Sequence, residues 1–162
     1  MIAVRLAGLE DAADVTRLIA GFRDWLTASV PTATQILASV ERLIADPNTE
    51  FLLADAGGPP SGVCQLRYRH SVWTGTPDCW LEDLFVEEHA RGRGVGRALV
   101  DAALDAARAR GAERIELDTN ETNLGAIALY ERAGFSASSK THEHANLSGR
   151  DVFMGRKLSR DS

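Results

Sequence analysis

Between Trp80 and Ala98 the chain places two adjacent carboxylates, Glu82 and Asp83, ahead of a loop in which Arg91, Arg93 and Arg97 are interleaved with Gly92, Gly94 and Gly96. Trp80 to Val86 is a short run of aromatic and branched residues, the pattern of a strand. Val95, Ala98, Leu99, Ala102, Ala103 and Ala106 then follow the spacing i, i+3, i+4, i+7, i+8, i+11, the pattern of an amphipathic helix. The loop therefore opens a helix, and a helix N-terminus presents unpaired N–H groups and a partial positive charge. Glycines let an anion reach the backbone there, and three guanidinium groups add whole charges. The chemistry specified is capture of an anion, most naturally a pyrophosphate.

Two common pyrophosphate loops do not fit. A Walker loop ends in Gly-Lys-Ser/Thr, whereas Gly96 is followed by Arg97 and Ala98. The dinucleotide pattern Gly-x-Gly-x-x-Gly would require glycine at position 97 or 99, where Arg97 and Leu99 stand. The run Arg91 to Gly96 does match Arg/Gln-x-x-Gly-x-Gly/Ala. Glu82 and Asp83 precede it, and Asn123-x-x-Ala126-x-x-Leu129-Tyr130-Glu131-Arg132-x-Gly134-Phe135 follows it. In these three pieces, in this order, the chain resembles the GNAT superfamily of N-acetyltransferases.

The resemblance implies an α/β (α+β) fold: a central mixed, mostly antiparallel sheet of about six to seven strands flanked by about four helices. It implies a single domain over residues 1–162, with 159–162 a loose tail. It implies acetyl-CoA as cosubstrate, no metal, and transfer of the acetyl group to a primary amine by direct attack in a ternary complex. Arg91, Gly92, Arg93, Gly94, Val95, Gly96 and Arg97 would hold the pyrophosphate. The backbone of Leu84, Phe85 and Val86 would pair with the pantetheine at a bulge or splay of the strand, with the Leu84 N–H as an oxyanion donor. Asn123 and Tyr130 would complete the cofactor contacts. The alternative is a non-catalytic acyl-CoA-binding or regulatory module, against which the presence of Tyr130, Glu82 and Asp83 argues. Family members are often homodimers.

Acetyl transfer from a thioester to an amine needs the two held together, and a proton acceptor for an ammonium whose ordinary pKa is about 10. It also needs donors for the oxyanion and a proton for the departing thiolate. In the family the tyrosine seven residues after the motif asparagine acts as general acid near the sulfur; here these are Asn123 and Tyr130. A phenol of ordinary pKa about 10 keeps its proton at neutral pH. Asn123 caps the helix, bonds the pantetheine, or does both. Glu82 and Asp83 point to opposite faces of a regular strand, so only a bulge would bring both into one pocket. The strand also resembles that of diamine and polyamine acetyltransferases, where the Glu takes the amine's proton through water. Glu82 is accordingly the preferred base, with Asp83 beside it, and a small cationic amine the preferred acceptor. Trp73, Trp80 and Tyr68 are candidates for an aromatic wall over a cation, or for core packing. His142 and His144 lack the further ligands a metal would need.

The rest of the chain must position these groups. Its 162 residues, 44% apolar and 25% charged, suit one ordinary globular domain. A net charge of −5 disfavours nucleic acid and anionic membrane as partners and suits cationic small molecules. The start lacks a basic leader and a long apolar run, and no stretch reaches membrane length. Cys64 and Cys79 read as buried free thiols, and together these features point to the cytoplasm. Strands are expected at 2–6, 51–56, 62–70, 80–86 and 114–119, then from Phe135, and last over 152–158. Helices are expected along Val15–Leu26, after Thr32, from Gly94 to Arg110, and over 123–133. Residues 137–149 read as a polar loop.

Overall fold

The computed structural model describes residues 1–137 and 150–158. Among them the order is β1 (Ala3–Leu6), α1 (Ala12–Trp25), α2 (Ala33–Ile44), β2 (Thr49–Asp55), β3 (Gly62–His70) and β4 (Pro77–Val86). There follow α3 (Val95–Ala109), β5 (Arg114–Asn120), α4 (Leu124–Arg132), β6 (Ser136–Ala137) and β7 (Asp151–Lys157). The strands form one sheet in the order β1-β2-β3-β4-β5-β7-β6. Every neighbouring pair is antiparallel except β4 and β5. This is the mixed, mostly antiparallel architecture expected.

Local chemistry explains where the helices begin. Before α1, the Asp11 carboxylate accepts from both terminal nitrogens of Arg5 at 2.7 Å and from the Gly8 N–H at 2.9 Å, tying β1 to the helix start. At α2, Thr32 and Gln35 form a reciprocal capping box. At α3, Gly94 takes a left-handed φ of 87°, which a residue with a Cβ adopts only at a cost.

The sheet separates two apolar layers. Leu66, Leu81, Leu99, Ile115, Leu117 and Met154 pack on the side of α3 and α4. Val15, Leu18, Ile36, Phe51, Val63 and Phe85 pack on the side of α1 and α2. Because both faces are covered, β2 reads as a continuous apolar run: Leu52 and Ala54 serve one layer, Phe51 and Leu53 the other. Gly62 brings α3 close to the sheet, since a Cβ there would lie 2.8 Å from Val95 Cγ1 and 3.0 Å from Leu99 Cδ1. Cys64 and Cys79 are free and buried.

Two departures from regularity in β4 make the site. Gln65 pairs with Asp83 but Leu66 pairs with Leu81, so Glu82 is an extra residue, a β-bulge. The bulge resets the alternation: Cys79 and Leu81 face α3 before it, Leu84 and Val86 after it, and Phe85 turns to α1. The second departure is a splay. Pairing between β4 and β5 is confined to Cys79 with Ile115 and Trp80 with Glu116, and beyond Trp80 the strands part.

Several boundaries differ from expectation. β4 starts at Pro77, because Pro77, Asp78 and Cys79 continue the antiparallel ladder with His70, Arg69 and Tyr68. Phe135 precedes β6 and is buried against the Tyr130 ring at 5.7 Å. β7 is one unbroken strand, paired along its length with β5. The polar stretch beyond Ala137, with His142 and His144, and the tail 159–162 lie outside the described residues.

Candidate active site

The parted strands are the lips of a cleft of about 620 Å³. β4 lines it from Leu81 to Val86, β5 with Asp118 and Thr119, and α4 with Asn123, Ala126, Leu129 and Tyr130. The arginine–glycine loop closes one end through Arg91, Gly92, Gly94, Val95, Gly96 and Arg97. Arg93 is exposed and does not line it. Among the residues expected to contact a cofactor, Arg93 alone falls outside the lining.

The loop could receive an anion. Gly92 and Gly94 have φ of 72° and 87°. Gly96 lies so near α4 that a Cβ would stand 3.2 Å from Leu129 Cδ2. First-turn N–H groups of α3 have no intrahelical acceptor. Arg91 donates from Nε to the Val86 carbonyl at 2.9 Å, and its guanidinium lies 5.7 Å from the Phe85 ring centroid. Arg97 donates to Asp101 Oδ1 at 3.0 Å and to the Arg132 carbonyl at 3.2 Å. Both cations are thus held at the cleft by bonds to its walls. A pyrophosphate fits this donor set, and the splay beyond it leaves strand backbone open to an extended chain.

Tyr130 is only 6% exposed and reaches the cleft from α4. Burial raises its pKa well above the phenol range, and the neighbouring Cys64, Asp83 and Asp118 push it further. It therefore keeps its proton at neutral pH. Asn123 accepts the Ala126 N–H on Oδ1 at 3.2 Å, so it caps α4 while lining the cleft.

The bulge brings Glu82 and Asp83 to the same cleft. Glu82 is exposed and Asp83 half-buried. Burial pushes the Asp83 carboxyl up to about 6, helped by the charges of Glu82 and then Asp118. A carboxylate at such a value is charged at neutral pH yet far more basic than an ordinary aspartate. Among the described residues no group of three or more His, Cys, Asp or Glu side chains could hold a metal ion. No described helix is long and apolar enough to cross a membrane.

The aromatic wall differs from the one the sequence suggests. Trp73 is 94% exposed, in the turn between β3 and β4. Tyr68 is 7% exposed, beneath the Arg110 guanidinium at 4.4 Å. Trp80 packs on Phe153, with centroids 6.3 Å apart. None lines the cleft. Beside Tyr130, the aromatic residues that line it are Phe22, Trp25 and Phe85, with Phe22 stacked between Trp25 at 6.0 Å and Phe85 at 5.7 Å, centroid to centroid. Phe22 and Trp25 sit at i and i+3 near the end of α1, a pair that periodicity marks only as a helix face. Asp118 is also missed by the sequence reading. Its signal is a carboxylate near the carboxyl end of a strand, where open α/β sheets bind ligands.

Residues 16–135 match the model of the acetyltransferase (GNAT) family. The chain belongs to the GNAT acetyltransferase family. Members use acetyl-CoA as cosubstrate, which the cradle and splay suit. A thialysine N-epsilon-acetyltransferase of Sus scrofa is 28% identical over 146 residues, covering 82% of this chain and 83% of that protein. A mycothiol acetyltransferase of Beutenbergia cavernae is 46% identical over 69 residues; the match spans 41% of this chain and only 23% of that protein. The crystal structure of a ribosomal-protein-alanine N-acetyltransferase from Brucella melitensis superposes with a TM-score of 0.74, over 91% of this chain and 100% of that one. At 22% identity that likeness is one of fold.

Proposed function

We propose that this GNAT acetyltransferase passes the acetyl group of acetyl-CoA to the primary amine of a small cationic acceptor, by direct attack in a ternary complex. One observation carries the reading: Tyr130 and Asp83 line one cleft at the splay, one a buried phenol, the other a carboxylate of raised basicity. The pyrophosphate rests on the loop from Arg91 to Arg97, and the pantetheine runs along Leu84, Phe85 and Val86 toward Asn123. The Leu84 N–H faces the charge that develops on the thioester oxygen. Tyr130 supplies the proton to the departing sulfur.

For the base, burial favours Asp83 over Glu82, which the sequence pattern favours. A half-buried carboxylate poised near about 6 accepts a proton at neutral pH. Exposed Glu82 adds charge that draws the ammonium in. The stacked faces of Phe22 and Trp25 suit a cation and its apolar stem. A relative named for acetylating the ε-amine of thialysine is consistent with such an acceptor. The free buried thiols fit the cytoplasm. The test is thiol release from acetyl-CoA across a panel of amines. Turnover with di- and polyamines or lysine-like amines is expected, and turnover confined to neutral amines overturns the acceptor class. No turnover with any amine, in protein that binds CoA, returns the reading to an acyl-CoA-binding module.

A further inference from the structure

No motif marks Asp118, yet it stands on the second lip of the splay. Ile115 and Leu117 of β5 belong to the layer beneath α3, so by alternation Asp118 faces the opposite side of the sheet. The bulge turns Asp83 to that same side, opposite Gln65 and two residues before Phe85. Both carboxylates line the cleft. We propose that Asp118 is a positioning residue for acetyl transfer: its negative charge, across the gap from Asp83, makes that carboxylate a stronger acceptor for the ammonium's proton.

This rests on Asp83 being the base. Among the described residues, the titratable groups around Asp83 are Glu82 on its own strand, the buried Cys64 thiol on β3, Asp118 on β5 and Tyr130 on α4. From α1 the cleft receives only the uncharged rings of Phe22 and Trp25. The lining arginines, Arg91, Arg97 and Arg132, belong to the cradle and the end of α4. Like charges near a half-buried carboxylate disfavour its ionised form and are poorly screened there. In the step itself an ammonium N–H bond breaks and its proton passes to Asp83. The freed lone pair bonds to the acetyl carbon, the C–S bond breaks, and the sulfur takes the Tyr130 proton. The nitrogen's second proton replaces that one, and Asp83 returns its own to solvent.

The experiment is the pH profile of kcat/KM for the wild type, Asp118→Asn, Asp118→Glu and Asp83→Asn, with melting curves for each. Removing the Asp118 charge should move the acid limb about half to one pH unit lower. Asp118→Glu should keep the limb near its wild-type position, and Asp83→Asn should abolish it. A uniform fall at every pH with the limb unmoved in Asp118→Asn overturns the proposal and leaves Asp83 as base. A limb that persists unchanged in Asp83→Asn overturns the base assignment itself, and with it the role of Asp118.

Discussion

Gly96, in the first turn of α3, lies against Leu129 of α4: a Cβ at position 96 would stand 3.2 Å from Leu129 Cδ2 and 3.9 Å from Val86 Cγ2. Helix packing by itself thus calls for a small residue at the third glycine of the loop. Gly96→Ala requires Leu129 to give by a few tenths of an ångström and should weaken CoA binding mildly. Gly96→Val pushes α3 from α4, at about 1–3 kcal/mol of stability, and should weaken CoA binding at least about tenfold. Gly94→Ala acts differently, through a φ of 87°, at about 1–2 kcal/mol. Calorimetric titration with CoA beside melting curves checks all three. A folded Gly96→Val with undiminished CoA affinity would remove the cradle.

Tyr130→Phe should lower kcat by about ten- to a thousand-fold while the CoA dissociation constant stays near wild type, because the hydroxyl matters as charge reaches the sulfur. The ring contact with Phe135 survives the change, so stability should hold. Since burial keeps this phenol protonated, no alkaline limb from it is expected below the wild-type amine's own titration. An unchanged kcat, where chemistry limits turnover, excludes Tyr130 from the mechanism.

Asp83 should be a liability to the fold. Its ordinary value is 3.8, and in the folded chain it is raised to about 6. Below about pH 3 the group is protonated folded and unfolded, and costs almost nothing. As pH rises toward 6 the unfolded chain releases the proton first, so stability falls, by at most about 3 kcal/mol, and stays lower above that. Asp83→Asn should therefore melt higher than wild type at pH 7.5 and almost together with it at about pH 3, while losing activity. An equal difference at both pH values would show that ionisation of Asp83 carries no such cost.

Trp25 is 49% exposed and stacks on Phe22 within the cleft. Trp25→Ala should raise KM for the amine severalfold and leave CoA affinity unchanged, with the larger effect on cationic amines bearing a long apolar stem. Trp73→Ala, in the distant turn, should leave both constants alone. Equal effects from the two variants would defeat the assignment of the wall.

The sequence by itself determined the order of elements, the glycine turn that opens α3, and the capping of both α2 and α4. Each is encoded locally: a helical period, a turn that needs glycine, a polar cap at a helix start. Only the tertiary structure decided which side chains meet across the splay. Whether Glu82 and Asp83 share a face depends on the register with β3, where one extra residue inverts every position after it. Asp118, Phe22 and Trp25 reach the cleft because β5 diverges from β4 and α1 lies over the bulged strand, relations between distant segments that no local pattern carries. Trp73 and Tyr68, near Asp83 in the sequence, are excluded for the converse reason. A strand advances about 3.3 Å per residue, and neighbours along a hairpin are carried steadily away from the site they adjoin.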